Sequence, residues 1–245
     1  MKISIIISSF NQRTRLRYCL DSALKQKTEF ADELEFIIAD DNSTDGSIDL
    51  IKKYPFKLVV REINNSKYTL AENWNNAVLE HATGDRVLFT NGDHILTPRF
   101  ADHHADPVMI NDIIFGPGFQ TTPSVVDHLN DTNTYRDIIN ICSNNKWILP
   151  DRHVEGSTRT YNVEWPSNFP YGYNFSVLRE HFVEVGGFDC LRRWGGEEQT
   201  LCDKIINKFP DTRIVSNCNS SVIHLYHTPH NLMNRATGDM VDYSF

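Results

Sequence analysis

Over its first 97 residues the chain alternates four apolar runs of strand length with three helical segments, and three of the runs end in polar clusters. Lys2 to Ser8 is a β-branched run that predicts a buried strand. Thr14 to Gln26 sets Leu16, Leu20, Ala23 and Leu24 on one helical face. Leu34 to Ala39 predicts a second strand, and Asp45-Gly46 opens a short helix carrying Ile48 and Ile51. Lys57 to Arg61 predicts a third strand. Thr69 and Glu72 have capping-box spacing ahead of a helix with Leu70, Trp74, Ala77, Val78 and His81 on one face. Gly84 stops that helix, and Arg86 to Thr90 predicts a fourth strand. An order of βαβαβαβ predicts an α/β fold, a mostly parallel sheet with helices on both faces. Such sheets bind ligands outside the carboxyl ends of the strands. Ser8 to Asn11, Asp40 to Ser43 and Asn91 to His94 occupy those ends.

The second half is less regular. Asp112 to Phe115 reads as a strand, Tyr135 to Cys142 as a helix, and Asn174 to Val185 as strand then helix. Trp194-Gly195-Gly196-Glu197-Glu198 leads into a helix bearing Leu201, Cys202, Ile205 and Ile206. Arg213 to Ser216 and Ser221 to Leu225 read as short strands. A length of 245 residues fits a single domain. The expected division is a nucleotide-binding half over 1–97, an acceptor-binding half over 98–229, and a tail or lid over 230–245.

With 24 Lys and Arg against 32 Asp and Glu, the net charge is −8, which excludes a basic groove for nucleic acid. No apolar run is long enough to span a membrane. Five cysteines without a C-x-x-C pair disfavour a disulfide framework and a thiolate zinc site. A reducing compartment is expected, cytoplasmic, with peripheral membrane association open.

The motifs together resemble the inverting family 2 glycosyltransferases, whose nucleotide-sugar-binding fold is called GT-A. The resemblance rests on Ser4 to Asn11, Ile38 to Asp45, Asn76 to Asp85, Val87 to Asp93, Gly186-Gly187-Phe188-Asp189 and Trp194 to Glu198. The Trp-Gly-Gly-Glu element is similar to that of galactosyl- and N-acetylhexosaminyltransferases. The resemblance implies a UDP-sugar donor and a glycan or lipid-linked sugar acceptor.

It also implies roles, each beside a plainer one. Asp40 and Asp41 would be an ordinary turn pair; by resemblance Asp41 accepts hydrogen bonds from the uracil or ribose, with Ser8 and Phe10 flanking the base and Asn76 also on the nucleotide. Asn91-Gly92-Asp93 stands where the family has Asp-x-Asp, the motif that holds a divalent cation against the diphosphate. Alone it reads as an Asn-Gly turn. The first acid is replaced by Asn91, and Asp93 remains as the metal ligand. His224 would complete the shell of Mn²⁺ or Mg²⁺, and is preferred to His227, which opens a more polar segment; otherwise it is a core histidine. His103-His104 reads as solvated surface.

Glu197 and Glu198 are favoured at a helix start by the dipole alone. Inversion needs a base on the acceptor side, and by resemblance Glu198 is that base. Glu197 orients the acceptor, Asp189 is the second candidate base, and Trp194 and Gly196 line the acceptor site. Arg15, Arg192 and Arg193 are left out of the site. Two other readings stay open. One is a nucleotide-sugar- or carbohydrate-binding module without catalysis. The other is a sugar-1-phosphate nucleotidyltransferase, disfavoured because Ser8 to Arg13 holds no glycine.

Overall fold

The computed structural model describes residues 1–61, 70–150, 173–190 and 196–227, and the backbone pairing of 232–233 with 240–241. The first half follows the alternation expected of it: β1 Lys2–Ser9, α1 Arg13–Ala23, β2 Glu33–Asp40, α2 Ser47–Ile51, β3 Lys57–Val60, α3 Leu70–His81 and β4 Arg86–Asn91. Ile3, Ile5, Ile6 and Ile7 are all fully buried, as a strand covered on both faces requires. Register puts β1 between β2 and β4, parallel to both. The residue Thr69 of the capping-box signal lies outside the described residues.

The second half builds β5 His94–Leu96, β6 Ile113–Phe115, β7 Gly118–Thr121, α4 Tyr135–Asn144, β8 Ile148–Pro150, β9 Phe175–Leu178, α5 Arg179–Glu184, α6 Glu197–Lys208, β10 Ile214–Ser216 and β11 Val222–His224. A two-stranded pair follows, β12 Leu232–Met233 with β13 Met240–Val241. The large sheet has the order β10-β6-β9-β4-β1-β2-β3, parallel except for β9. The sequence did not suggest the second sheet, β5-β11-β7-β8. Its strands are three or four residues long, too short for periodicity to mark. The chain leaves the large sheet at Asn91 and enters the small one at His94, so residues 92–93 form the corner between them.

Each face of the large sheet buries its own apolar layer. On one face Trp74 of α3 packs on Phe89, Phe175 and Phe188, with ring centroids 5.2, 6.4 and 5.2 Å apart, and Leu201, Cys202 and Ile205 of α6 join this layer. On the other, Leu16, Cys19 and Leu20 of α1 meet Leu50 and Ile51 of α2. A third cluster joins Tyr18 of α1 and Ile138 of α4 to Ile95 and Ile223 of the small sheet. Side chains of this size contribute roughly 1.5–3 kcal/mol each on burial.

Behind the sheets runs a buried polar seam. Arg86 can only donate, so Ser176 Oγ accepts from its Nη1 at 3.0 Å and passes its own proton to His104 Nδ1 at 2.9 Å. His104 Nε2–H then donates to Asn174 Oδ1 at 3.0 Å. Asn174 Nδ2 in turn donates to the carbonyls of Ser220 at 3.0 Å and Pro117 at 3.2 Å. His104 is therefore not solvated surface, as its sequence context suggested: it is fully buried. Burial pushes its pKa down to about 3, so the ring is neutral and donates from one nitrogen only. The reversal has a simple cause. Both ring nitrogens find partners more than 65 residues away in sequence.

Candidate active site

The β1–β4 and β1–β2 registers place Ser8 opposite Asn91 and Ser9 opposite Asp40, so the polar strand ends converge. Ser8 Oγ donates to Asn91 Oδ1 at 2.8 Å. Asp40 is fully buried and spent on its own loop, accepting from Ser43 N at 2.7 Å and Ser43 Oγ at 2.8 Å. Asn11, at φ 47°, stitches the two loops together: its N–H donates to Ser43 Oγ and its Oδ1 accepts from Thr44 N, both at 2.8 Å. Asp41, also buried, is the carboxylate of the pair that this turn does not hold. It accepts from Arg61 Nε at 3.0 Å, and Arg61 also bridges to Glu72. Burial pushes the Asp41 carboxyl up, against the pull of Arg61. Phe10 is 52% exposed beside them.

Gly92 turns the corner between the sheets. Its N–H donates to Ser8 O at 2.8 Å. A Cβ there would stand 2.4 Å from Gln12 Nε2, 2.8 Å from Leu16 Cδ1 and 3.1 Å from Ser8 O, so any side chain would have to displace the Gln12 and Leu16 side chains at the start of α1.

Asp93 follows, buried, with its two oxygens facing different partners. Oδ2 lies 3.4 Å from His224 Nε2 and 3.3 Å from His227 Nε2. Oδ1 lies 3.6 Å from His94 Nε2 and makes no hydrogen bond. His94 Nδ1 accepts from Asn91 N at 3.3 Å and contacts Thr90 Oγ1 at 3.0 Å, which leaves the ring proton on the nitrogen that faces Asp93. Burial alone would raise the Asp93 carboxyl; hydrogen bonds from His224 and His227, and the His94 and His224 rings, outweigh it and hold the group well below the usual carboxylate range. β11 pairs with β5 so that His224 sits opposite His94, and Leu225 N donates to Asp93 O at 2.9 Å. Asp93, His224 and His227 each offer a ligand atom within 4.8 Å of the others. A buried carboxylate whose Oδ2 stands beside two imidazole nitrogens fits a divalent metal that accepts both oxygen and nitrogen.

A second group stands at the start of α6. β10 runs parallel to β6, and α6 feeds the beginning of β10, so the 12-residue helix points its first turn toward the carboxyl ends of the parallel strands. Gly196 caps it at φ 97°. Glu197 is buried and Glu198 half-buried. Burial pushes Glu198 up to about 7, with the Glu197 charge adding to the shift and a backbone hydrogen bond opposing it. Asp189 accepts from Lys204 Nζ at 2.9 Å. Trp194 lies outside the described residues. Asn76 is half-buried on α3; its neighbours make the hydrogen bonds, Asn73 Nδ2 to Ala39 O at 2.8 Å and Asn75 Nδ2 to Phe188 O at 2.9 Å.

The structure thus gathers Ser8, Asn91, Gly92, Asp93 and His224, and adds three residues that sequence reasoning did not select. His227 sat in a polar segment, and the x-x spacing from His224 was its one signal. His94 carried none beyond adjacency to Asp93. Arg15 lies within electrostatic reach of both Asp93 and Asp45, while burial pulls its pKa down.

Residues 4–186 match the description "Glycosyl transferase family 2". The chain belongs to glycosyl transferase family 2. A poly(ribitol-phosphate) beta-glucosyltransferase of Bacillus spizizenii is 36% identical to this family 2 chain over 97 residues, 38% of the chain and 15% of the relative. A poly(ribitol-phosphate) beta-N-acetylglucosaminyltransferase of Staphylococcus aureus, TarS, is 31% identical over 125 residues, 45% of the chain and 21% of the relative. These matches span about a fifth or less of the relatives. Among solved structures, TarS 1-349 with UDP-GlcNAc superposes with a TM-score of 0.66 at 16% identity, over 93% of this chain and 59% of that one. A mannosyltransferase of Pyrobaculum calidifontis with GDP-Man and Mn²⁺ gives 0.58 at 20% identity, over 90% and 56%. The fold is the GT-A fold. Among the described residues no helix is long and apolar enough to cross a membrane.

Proposed function

We propose that this family 2 domain is an inverting transferase. It moves a hexose or N-acetylhexosamine from a UDP-sugar to a hydroxyl of a glycan or lipid-linked acceptor. A hydroxyl on a polymer of the poly(ribitol-phosphate) kind, named for two relatives, falls in that class. The observation that carries the reading is the buried Asp93 carboxylate beside His224, at the end of β4 and one corner from the Ser8–Asn91 pair.

Asp41 and Ser8 hold the nucleotide, with Phe10, Asn76 and Asn91 against the base and ribose. Asp93 and His224 hold Mn²⁺ or Mg²⁺, which when bound neutralises charge on the departing diphosphate. Glu198 takes the acceptor hydroxyl proton during attack. A carboxyl at about 7 suits that task, because it is part deprotonated at neutral pH and basic enough to accept a proton. Glu197 orients the acceptor, and Asp189, Gly196 and Trp194 line its side. The Lys204 contact ties Asp189 down and favours Glu198 as the base.

A nucleotide-sugar-binding module without transfer is the second reading. Asn91 favours it, since its amide is held by Ser8 where the family carries an acid. The deciding experiment is a thermal-shift screen of nucleotides and nucleotide sugars with and without Mn²⁺, followed by product analysis with each stabilising donor. A ligand that binds only the folded state raises its apparent stability. Stabilisation by UDP-sugars with donor hydrolysis or transfer supports the transferase. Stabilisation without turnover leaves the binding module, and no stabilisation by any nucleotide overturns both.

A further inference from the structure

We propose that Gln120 and Leu149 form a sugar subsite on the outer face of the small sheet, beside the Asp93–His224 group. Gln120 meets ring hydroxyls, and Leu149 covers the apolar face of a neutral pyranose. This rests on the reading of the chain as a sugar transferase, and adds where one sugar ring lies and which residues select it.

Register determines the placement. His94 pairs with His224, His224 with Gln120, and Gln120 with Leu149, so one row crosses all four strands. Residues paired in this way point their side chains to the same face. The next row, Ile95, Ile223 and Phe119, turns the other way and packs with Tyr18 and Ile138. The His94 row lies on the face opposite that core. His224 Nε2 reaches Asp93 from this face, so Gln120 and Leu149 continue the face that carries the site. At about 4.8 Å per strand, their backbones stand roughly 5 and 10 Å beyond that of His224.

Exposure rises along the row. His94 is 1% exposed, His224 and Gln120 are half-buried, and Leu149 is 51% exposed. Tyr173 bounds one side. Its ring centroid stands 5.1 Å from that of His94, and a Cβ on Gly118 would lie 2.5 Å from its hydroxyl. Gly118 and Gln120 are two residues apart on β7 and so share a face, which sets the Tyr173 hydroxyl next to the row. Among the described residues the Gln120 amide has no hydrogen-bond partner.

The chemistry of the row selects the occupant. A planar amide offers two donors and an acceptor, which suits neighbouring hydroxyls on a ring. The exposed leucine beside it offers apolar area for the C–H face of the same ring. Neither residue is charged, so a phosphate or carboxylate gains nothing here and this part of the ligand is neutral. A few placed polar groups on an apolar wall fix the orientation of a small ligand. A site that hydrogen-bonds a hydroxyl also rejects the analogue that lacks it, far more strongly than size alone would. Gln120 therefore discriminates between sugars, and Leu149 holds any of them. The ring belongs either to the donor or to the acceptor end.

The test is saturation-transfer difference NMR on the full chain, without nucleotide. The probes are methyl glycosides of glucose, galactose, N-acetylglucosamine and N-acetylgalactosamine, with their deoxy analogues. Wild-type protein is expected to bind at least one of them, with the protons of one ring face nearest the protein. Leu149→Ser is expected to weaken every bound glycoside about fivefold, the order of the apolar area lost. Gln120→Ala is expected to weaken the parent glycoside about fivefold, the order of one hydrogen bond. One deoxy analogue should then bind wild type and Gln120→Ala alike. Both variants are expected to melt with wild type, since Leu149 is exposed and the Gln120 amide has no partner to lose. Displacement of the glycoside by its UDP-sugar but not by UDP assigns the ring to the donor. A glycoside that stays bound while the UDP-sugar also binds assigns it to the acceptor. Displacement by UDP itself, absence of glycoside binding in wild type, or equal binding in both variants overturns the subsite. If the glycosides bind and no UDP-sugar does, the transferase reading falls and the subsite stands.

Discussion

Ser8 and Asn91 face each other across the β1–β4 pairing, and the Ser8 hydroxyl donates to the Asn91 carbonyl oxygen at 2.8 Å. Asn91 therefore keeps its amide nitrogen for whatever lies beyond the strand end. An aspartate in its place would accept the same bond and add a charge next to Asp93. Asn91→Asp is expected to fold normally and to raise Mn²⁺ affinity by about tenfold, because ligand charge tunes divalent affinity. A metal titration checks it, and an unchanged affinity would place residue 91 out of reach of the ion.

Glu198 makes two opposite predictions about pH. As a base it must be ionised, so kcat/KM is expected to rise with pH through about 7, the value to which burial pushes it. Glu198→Gln is expected to lower kcat by about 10²–10⁴ and to remove that limb. A pH profile that keeps its limb in the variant assigns it elsewhere.

Stability runs the other way at the same residue. The folded carboxyl titrates near 7 and the unfolded one near 4.5, so between those values the folded state holds more protons. The contribution of Glu198 is present below 4.5 and is lost as pH rises through 7. Glu198→Gln is thus expected to melt above wild type at pH 8 and level with it at pH 4. Equal melting at both pH values would show that the side chain is solvated.

Gly92→Ala is expected to cost about 1–3 kcal/mol, the usual range for a forced fit. Its Cβ would meet Gln12, Leu16 and the Ser8 carbonyl together. Urea unfolding measures the loss, and a change below about 0.5 kcal/mol would mean α1 gives way without cost.

Asn174→Ala would leave the His104 Nε2–H and the carbonyls of Ser220 and Pro117 without this partner. Each unsatisfied buried group costs about 1–3 kcal/mol, so the variant is expected to lose at least ~2 kcal/mol in the same urea experiment. His104→Phe, which also removes the donor, should recover part of it when combined.

How much of this the sequence showed depends on range. β1, β2 and β4 are legible because Ile5 to Ile7, Phe36 to Ala39 and Val87 to Phe89 are continuous apolar runs, the mark of strands buried on both faces. Asp93 and His224 are legible as candidates through motif position. The small sheet is not, because His94 meets His224 across 130 residues of sequence and three-residue strands carry no period. His104 was misread for the same reason: a histidine after a histidine looks solvated until Ser176 and Asn174 are brought to it. The split between Asp40 and Asp41 is also invisible locally, since it depends on Ser43 closing the turn and Arg61 reaching across from β3.

The corner at Gly92 divides the site between two carriers. Ser8, Asp41 and Asn91 ride on the large sheet, while Asp93, His224 and His227 are fastened to the small one through β5, β11 and the Leu225–Asp93 bond. A rocking of one sheet against the other would leave the spacing among the carboxylate and imidazoles untouched. It would change instead the distance from Ser8, Asp41 and Asn91 to Asp93, so a ligand bridging both carriers would act as the strut that sets their relative pose.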